Sequence, residues 1–238
     1  MPPGPRSAPE GAVGSCALDA LLRDLGPRLR RGELPREPLR FCPTGLPEVD
    51  RALGGGFPRG RVGEIVGPAS SGRTSLALSL LATASQAGEF AAVVDGCDAF
   101  DPPSAEAAGV ELSQLLWVRA PERRAWLRST EQLLEARGFS LVVLDVAGGA
   151  PGGFPLSVWP RLARSAASTQ TSLVVLGSER VAGTFSALSL ELDPGRPLFS
   201  GSPLLFEGLQ GRLRLVRNRT GPSEGEAPLH LAAPHRAA

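Results

Sequence analysis

The sequence predicts an α/β domain with a mostly parallel central sheet, helices on both faces and antiparallel strands near the C-terminus. Three short apolar runs, Val62–Val66, Phe90–Asp95 and residues 141–145, read as buried strands that alternate with helical stretches. A glycine-rich turn at 67–74 follows the first of them, as in folds that bind phosphate at a helix start. From residue 187 onward, turn residues separate short apolar runs, which indicates an antiparallel meander.

The remaining elements follow from apolar spacing and from glycine and proline positions. Helices are predicted at 74–85, at 121–137 between a proline and Gly138, and near 156–168. Strands are predicted at 115–118, 172–176, 188–192, 204–209 and 213–216, with a possible last strand at 228–232. We therefore divide the chain into a flexible N-terminal segment with a short amphipathic helix (1–40), a core (41–220) and a C-terminal tail (221–238).

The composition excludes several classes of function. The chain has 238 residues, a formal net charge of +1, and 25 basic residues, all of them arginine. A net charge near zero gives no general reason to expect nucleic acid or a membrane as a partner. The three cysteines form no CxxC pair and the two histidines lie in the tail, so a zinc site is not expected. The chain has neither an apolar run long enough to span a bilayer nor a signal-peptide pattern, and we expect a cytoplasmic protein.

The turn at 67–74 carries a phosphate-binding pattern with one residue changed. Gly-Pro-Ala-Ser-Ser-Gly-Arg-Thr fits G-x-x-x-x-G-K-[ST] except at the lysine. The candidate nucleotide-binding residues are Gly67, Ser70, Ser71, Gly72, Arg73, Thr74 and, at the end of an apolar strand, Asp145. Arginine is forked and does not simply replace lysine, so we expect no catalytic residue and no cofactor beyond weakly held ATP and Mg²⁺. The alternative is that a lysine-free composition placed arginine here and ATP still binds.

Several segments together resemble the RecA recombinase family. Residues 41–56 resemble the stretch before its phosphate loop, 67–74 resemble the loop itself, and 95–102 resemble the stretch after its second strand. Arg217-Asn218-Arg219 is similar to a lysine-rich element that touches the neighbour's nucleotide in a filament, so the resemblance marks Arg217 and Arg219 as subunit contacts. It implies a RecA-like fold and covers nearly the whole folded part of the chain.

The departures from that family point to lost activity. Cys97 stands where the resemblance places the glutamate that activates water, and Ser178 lies in the segment where it places a γ-phosphate sensor. The second DNA-binding loop is missing or nearly so, and the first, at 148–155, is short and lacks basic residues. Phosphoryl transfer needs these parts placed together.

A RecA-like core without working parts resembles the ImuA-type accessory proteins of translesion synthesis. That resemblance implies a non-catalytic role in the DNA damage response. Its implied partners are RecA, a Y-family polymerase-like protein and an error-prone replicative-type polymerase, with DNA bound weakly or indirectly. Two alternatives stay open: a divergent DNA-dependent ATPase or recombinase paralogue, and a SulA-type cell-division inhibitor, although such inhibitors are usually smaller.

Two features are candidates for partner contact. Four leucines at helical spacing, Leu18, Leu21, Leu22 and Leu25, form an apolar face that suits helix-in-groove binding; alternatively, this helix packs on its own core. Four arginines near the C-terminus, Arg212, Arg214, Arg217 and Arg219, form a stripe at strand spacing that suits phosphate-backbone binding; alternatively, the stripe is a solvated face or a subunit contact.

Overall fold

The computed structural model describes residues 38–146, 154–155 and 157–233. The helices are α1 (Pro47–Leu53), α2 (Arg73–Gln86), α3 (Pro102–Ala107), α4 (Arg123–Ala136) and α5 (Val158–Thr169). The strands are β1 (Phe41–Cys42), β2 (Phe57–Pro58), β3 (Val62–Val66), β4 (Phe90–Asp95), β5 (Leu115–Arg119), β6 (Phe139–Asp145), β7 (Ser172–Gly177), β8 (Ser186–Leu192), β9 (Arg196–Ser200), β10 (Leu205–Asn218) and β11 (Gly225–Ala232). The predicted helix at the four leucines lies outside the described residues.

The main sheet confirms the predicted fold class. Its strand order is β11-β10-β8-β3-β7-β6-β4-β5, and β9 pairs with β10. Strands β5, β4, β6, β7, β3 and β8 run parallel, whereas β10 pairs antiparallel with β8, β9 and β11. Because β3 lies between β7 and β8, the phosphate loop that follows it opens at the carboxyl edge of the sheet, where ligands bind in open α/β folds.

Two apolar layers cover the sheet. One face packs against α2 through the fully buried Leu76 and Leu80, and this layer continues under β10 and β11. The other face packs against α4 and α5 through Leu134, Trp159 and Leu162. Strands β3, β6 and β7 are buried on both faces, which explains why they read as continuous apolar runs rather than as alternating patterns.

The structure differs from the predicted meander in the C-terminal third. The two strands predicted at 204–209 and 213–216 are one strand, β10, and β9 was not predicted. Gly211 lies where a turn was expected between the two strands, but β10 continues through it. Gly208, inside the first predicted strand, follows a β-bulge with φ of 154°, and a side chain there would meet the Leu231 carbonyl. The possible last strand exists as β11, which pairs with β10 over its full length and buries Ala227, Leu229 and Leu231.

Sequence analysis also missed α1 and the two-stranded β1–β2 sheet. Helix α1 has signals that were available: Pro47 lies at its start and Gly54 ends it in a left-handed conformation. The two strands of two residues each are too short to show any periodicity.

Candidate nucleotide-binding site

The phosphate loop has the backbone shape that its sequence predicts. Ser70 and Gly72 have positive φ of 61° and 91°, and α2 begins at Arg73 without a side-chain cap or an acidic residue in its first turn. The first turn of α2 therefore has no side-chain cap and no acidic residue to offset the positive end of the helix, which favours an anion. Gly72 also lies close to a neighbouring side chain, since a Cβ there would lie 2.6 Å from the Leu231 Cδ1 atom.

Two polar atoms inside the loop are buried and lack a hydrogen-bond partner among the described residues. They are the Ser71 Oγ and one terminal guanidinium nitrogen of Arg73. A Cβ at Gly67 would lie 2.8 Å from the Ser71 Oγ, so this hydroxyl points across the inside of the loop. Buried polar groups are normally paired, and both of these groups suit a phosphate oxygen. This part of the site fits a nucleotide phosphate; Thr74 is exposed at the helix start, where it would face the accompanying Mg²⁺.

The Asp145 carboxylate, which is expected to complete the site, lies beside the Cys97 thiol. Asp145 ends β6 next to Asp95 at the end of β4. The Cys97 Sγ lies 3.9 Å from the Asp145 Oδ1, so a thiol occupies the place where the resemblance puts a carboxylate base. The Cys97 side chain lines a cleft of about 440 Å³, together with Asp98 and Arg119. This part of the site lacks a carboxylate at position 97, and a cysteine sulfur is only a weak hydrogen-bond acceptor.

Asp95 holds the turn that follows β4. It is buried and accepts hydrogen bonds from the N–H groups of Cys97, Ala99 and Phe100 and from the Trp117 indole. Burial acts to raise the pKa of Asp95, but these hydrogen bonds outweigh it, and the pKa lies below its usual value. The carboxylate therefore fixes the turn that presents Cys97.

A buried glutamate fastens the short connection between β7 and β8. Glu64, in the middle of β3, is 1% exposed. Its Oε1 accepts the N–H groups of Val181 and Ala182, each at 2.8 Å, and its Oε2 accepts the Ser189 hydroxyl at 3.0 Å. The short connection between β7 and β8 is thus held from inside the sheet.

The arginines of the stripe share one face of the sheet, and two of them lie next to glutamates. A bulge adds one residue to β10 between Leu215 and Arg217, so positions 214 and 217 share a face although they are three apart. Arg212 lies 3.6 Å from Glu226 and Arg214 lies 2.6 Å from Glu191. Arg217 donates to the Gly183 carbonyl at 3.0 Å, and the Arg219 side chain is exposed.

The edge strand β5 and the start of its neighbour β4 carry exposed apolar side chains. Leu116 in β5 is 46% exposed and Phe90 in β4 is 53% exposed, and both line a groove of about 420 Å³ together with Phe139. Edge strands with apolar side chains mark places where another chain can pair.

Comparison with known proteins identifies the family. The model of the RecA N-terminal domain matches residues 23–152. Protein RecA from Thermus thermophilus is 31% identical over 253 residues, covering 90% of this chain and 74% of that protein. The chain belongs to the RecA family. Protein RecA from Streptomyces avermitilis is 40% identical over 136 residues, 54% of this chain, and the match spans 36% of that protein.

A solved structure supports the fold independently of the RecA sequences. The crystal structure of the RadB recombinase matches 80% of this chain and 96% of its own length, with a TM-score of 0.63 and 22% identity. This likeness concerns the fold alone. In the described ranges, no helix is long and apolar enough to cross a bilayer, and no group of three or more His, Cys, Asp and Glu side chains is placed to hold a metal ion.

Proposed function

We propose that this chain is a non-catalytic RecA-like accessory protein of DNA damage tolerance and translesion synthesis. It acts through contacts with RecA, which it modulates or inhibits, and with a Y-family polymerase-like protein and an error-prone replicative-type polymerase. The observation that carries the proposal is the Cys97 thiol beside the Asp145 carboxylate, 3.9 Å from its Oδ1. A phosphate loop without its lysine and without a carboxylate base lacks two of the parts on which hydrolysis depends.

The connection between β7 and β8 supports the loss of DNA-driven activity. Because Glu64 holds the N–H groups of Val181 and Ala182 directly, the chain between these strands stays close to the sheet. A long DNA loop in this position would need those two donors to find other acceptors. The paired arginines of the stripe support only a weak or indirect role for DNA, since Arg212 and Arg214 already face carboxylates.

The exposed edge at β5 supports action by protein contact. Phe90 and Leu116 lie on the open side of the sheet, where a RecA subunit would meet a related core. A RecA-like subunit that binds a filament end but offers no surface for the next subunit would block further addition. Deletion of residues 1–31 is expected to remove RecA binding in a pull-down, and unchanged binding would exclude the leucine helix as the contact.

The decisive experiment measures ATP turnover and strand exchange together. Purified protein is assayed for ATP hydrolysis with and without single-stranded DNA, and is then added to a RecA strand-exchange reaction. We expect no turnover and a slower exchange reaction. Steady hydrolysis that Thr74→Ala or Asp145→Ala abolishes would overturn the proposal. The double variant Arg73→Lys, Cys97→Glu tests whether the two missing groups alone account for the lost activity.

A second candidate is a divergent DNA-dependent ATPase or recombinase paralogue. It is favoured by the buried, unpartnered Ser71 hydroxyl and Arg73 guanidinium nitrogen, which suit a bound phosphate. Titration with labelled ATP separates the two candidates when it is read beside the turnover assay. Binding with turnover favours the enzyme, whereas binding without turnover is compatible with a regulator.

A further inference from the structure

Strand β9 continues the line of β8 past the carboxyl edge of the sheet. Residues 208–210 of β10 pair with both β9 and β11, and residues 213–215 pair with both β8 and β11, so β8 and β9 lie on the same side of β10. The turn between them is tied to the phosphate loop, because the Gly195 N–H donates to the Ser70 carbonyl at 3.2 Å. Strand β9 therefore rises beside the phosphate loop, beyond the end of β3.

Two phenylalanine rings project from β9 and β10 on the face that α2 covers. Leu209 packs in the apolar layer under α2, and a Cβ at Gly72 would lie 3.1 Å from its Cδ2 atom. Leu209 pairs with Pro197, and Phe199 lies on the same face two residues farther along β9, which is about 7 Å at the rise of a strand. Phe199 pairs with Phe206, and their ring centroids are 5.8 Å apart. The phenylalanine pair therefore lies just beyond the start of α2.

The phenylalanine pair offers a surface for a flat aromatic group. Phe199 is 56% exposed and Phe206 is 48% exposed. Residues 197–206 contain no charged side chain, and Ser200, which follows Phe199 on the opposite face, donates to the Glu207 carboxylate at 2.6 Å. Aromatic side chains of this kind bind nucleobases by stacking, which accepts every base because each base has a π-face.

The start of α2 supplies a place for the other end of such a ligand. The Ser71 side chain is 1% exposed, and its hydroxyl and one terminal nitrogen of Arg73 lack a partner among the described residues. Both groups suit a phosphate oxygen, and the helix start favours negative charge. A nucleotide carries both groups in one molecule, a phosphate chain and a flat aromatic base.

We propose that the phenylalanine pair is the base-binding part of a nucleotide site whose phosphates lie in the loop at 67–74. The base stacks on Phe199, which lies on the strand tied to the loop, and Phe206 supports that ring from the neighbouring strand. Because the rings contact the flat face of the base and not its edge, the site does not distinguish adenine from guanine. Binding of this kind requires no turnover, so it is compatible with both functions considered above.

Calorimetric titration of the full chain with ADP, GDP and pyrophosphate, each with Mg²⁺, tests the site. We expect ADP and GDP to bind with dissociation constants within about threefold of each other, and pyrophosphate to bind at least about tenfold more weakly, because it has no base to stack. Phe199→Ser should weaken ADP binding about tenfold and leave pyrophosphate binding unchanged. Phe199→Tyr keeps the ring and should retain ADP binding.

Phe90→Ser is the matched control, because Phe90 is 53% exposed and lies in β4, away from the hairpin. It should leave ADP binding unchanged. Absence of ADP binding by the unmodified chain would overturn the proposal, as would ADP binding that Phe199→Ser leaves unchanged. Equal loss of ADP and pyrophosphate would also overturn it, because the ring would then act through the shape of the loop. These titrations contain neither RecA nor DNA, so their failure is distinct from failure of the strand-exchange experiment.

Discussion

Replacing Glu64 by alanine removes the acceptor that holds two buried backbone donors. The N–H groups of Val181 and Ala182 both donate to the same carboxylate oxygen at 2.8 Å. Each buried donor left without an acceptor costs about 1–3 kcal/mol, so the two together predict a loss of about 2–6 kcal/mol in the free energy of unfolding. The Ser189 hydroxyl adds little to this loss, because it also lies 3.0 Å from the Ser186 hydroxyl.

Urea unfolding of the alanine variant measures this loss, and hydrogen exchange locates it. The amides of Val181 and Ala182 should exchange faster in the variant, while the amides of β6 keep their protection. Glu64→Gln keeps one carbonyl acceptor and should cost about 1 kcal/mol. Glu191→Ala, which removes an exposed carboxylate from the neighbouring strand, is the matched control and should change stability little.

A loss of less than about 1 kcal/mol in the alanine variant would contradict this role of Glu64, because that is the lower limit for a single unsatisfied buried donor. Unchanged protection of the two amides would contradict it as well, since the loop would then have another anchor.

Three further predictions follow from the packing and the charges. Gly72→Ala should destabilise the protein more than Gly88→Ala in thermal unfolding: both glycines have positive φ, but only a Cβ at 72 meets Leu231, whereas nothing lies within 4 Å at 88. The lowered pKa of Asp95 means that its contribution is present above the unfolded pKa of about 3.9 and is lost as pH falls through the folded value, so the stability difference from Asp95→Asn should shrink in acid. Cys42 is 2% exposed and burial raises the pKa of its thiol, so native-state alkylation read by mass spectrometry should spare it until the chain unfolds.

The sequence alone predicts the strands that lie between layers of helices. Val62–Val66 and Phe90–Asp95 were predicted with the bounds they have in the structure. A continuous apolar run with turn residues on either side indicates a buried parallel strand in an α/β pattern. The loop at 67–74 and the strand before Asp145 were found for the same reason. Strand β9 was missed because its side chains are exposed, so it has no alternation to detect.

The candidate site was predictable in its parts but not in its contacts. Arg73 was identified from its place in the phosphate-loop pattern, and Cys97 from the resemblance to the RecA family. The approach of the Cys97 thiol to Asp145 depends on a contact across 48 positions of sequence, and the Glu64 bonds span 117 and 118 positions. Such contacts depend on strand order, which local sequence does not encode.

The bulge in β10 has a consequence for how this strand tolerates changes in length. Leu215 pairs with Leu190 and Arg217 pairs with Ser189, so Val216 is a spacer with no partner of its own in β8. Deleting Val216 leaves both flanking pairs in phase, and the strand becomes a regular ladder. Straightening the bulge while keeping Val216 would instead turn the Arg217 and Arg219 side chains toward the core. Position 216 is therefore a point at which the chain can lose one residue without changing which side chains face the solvent.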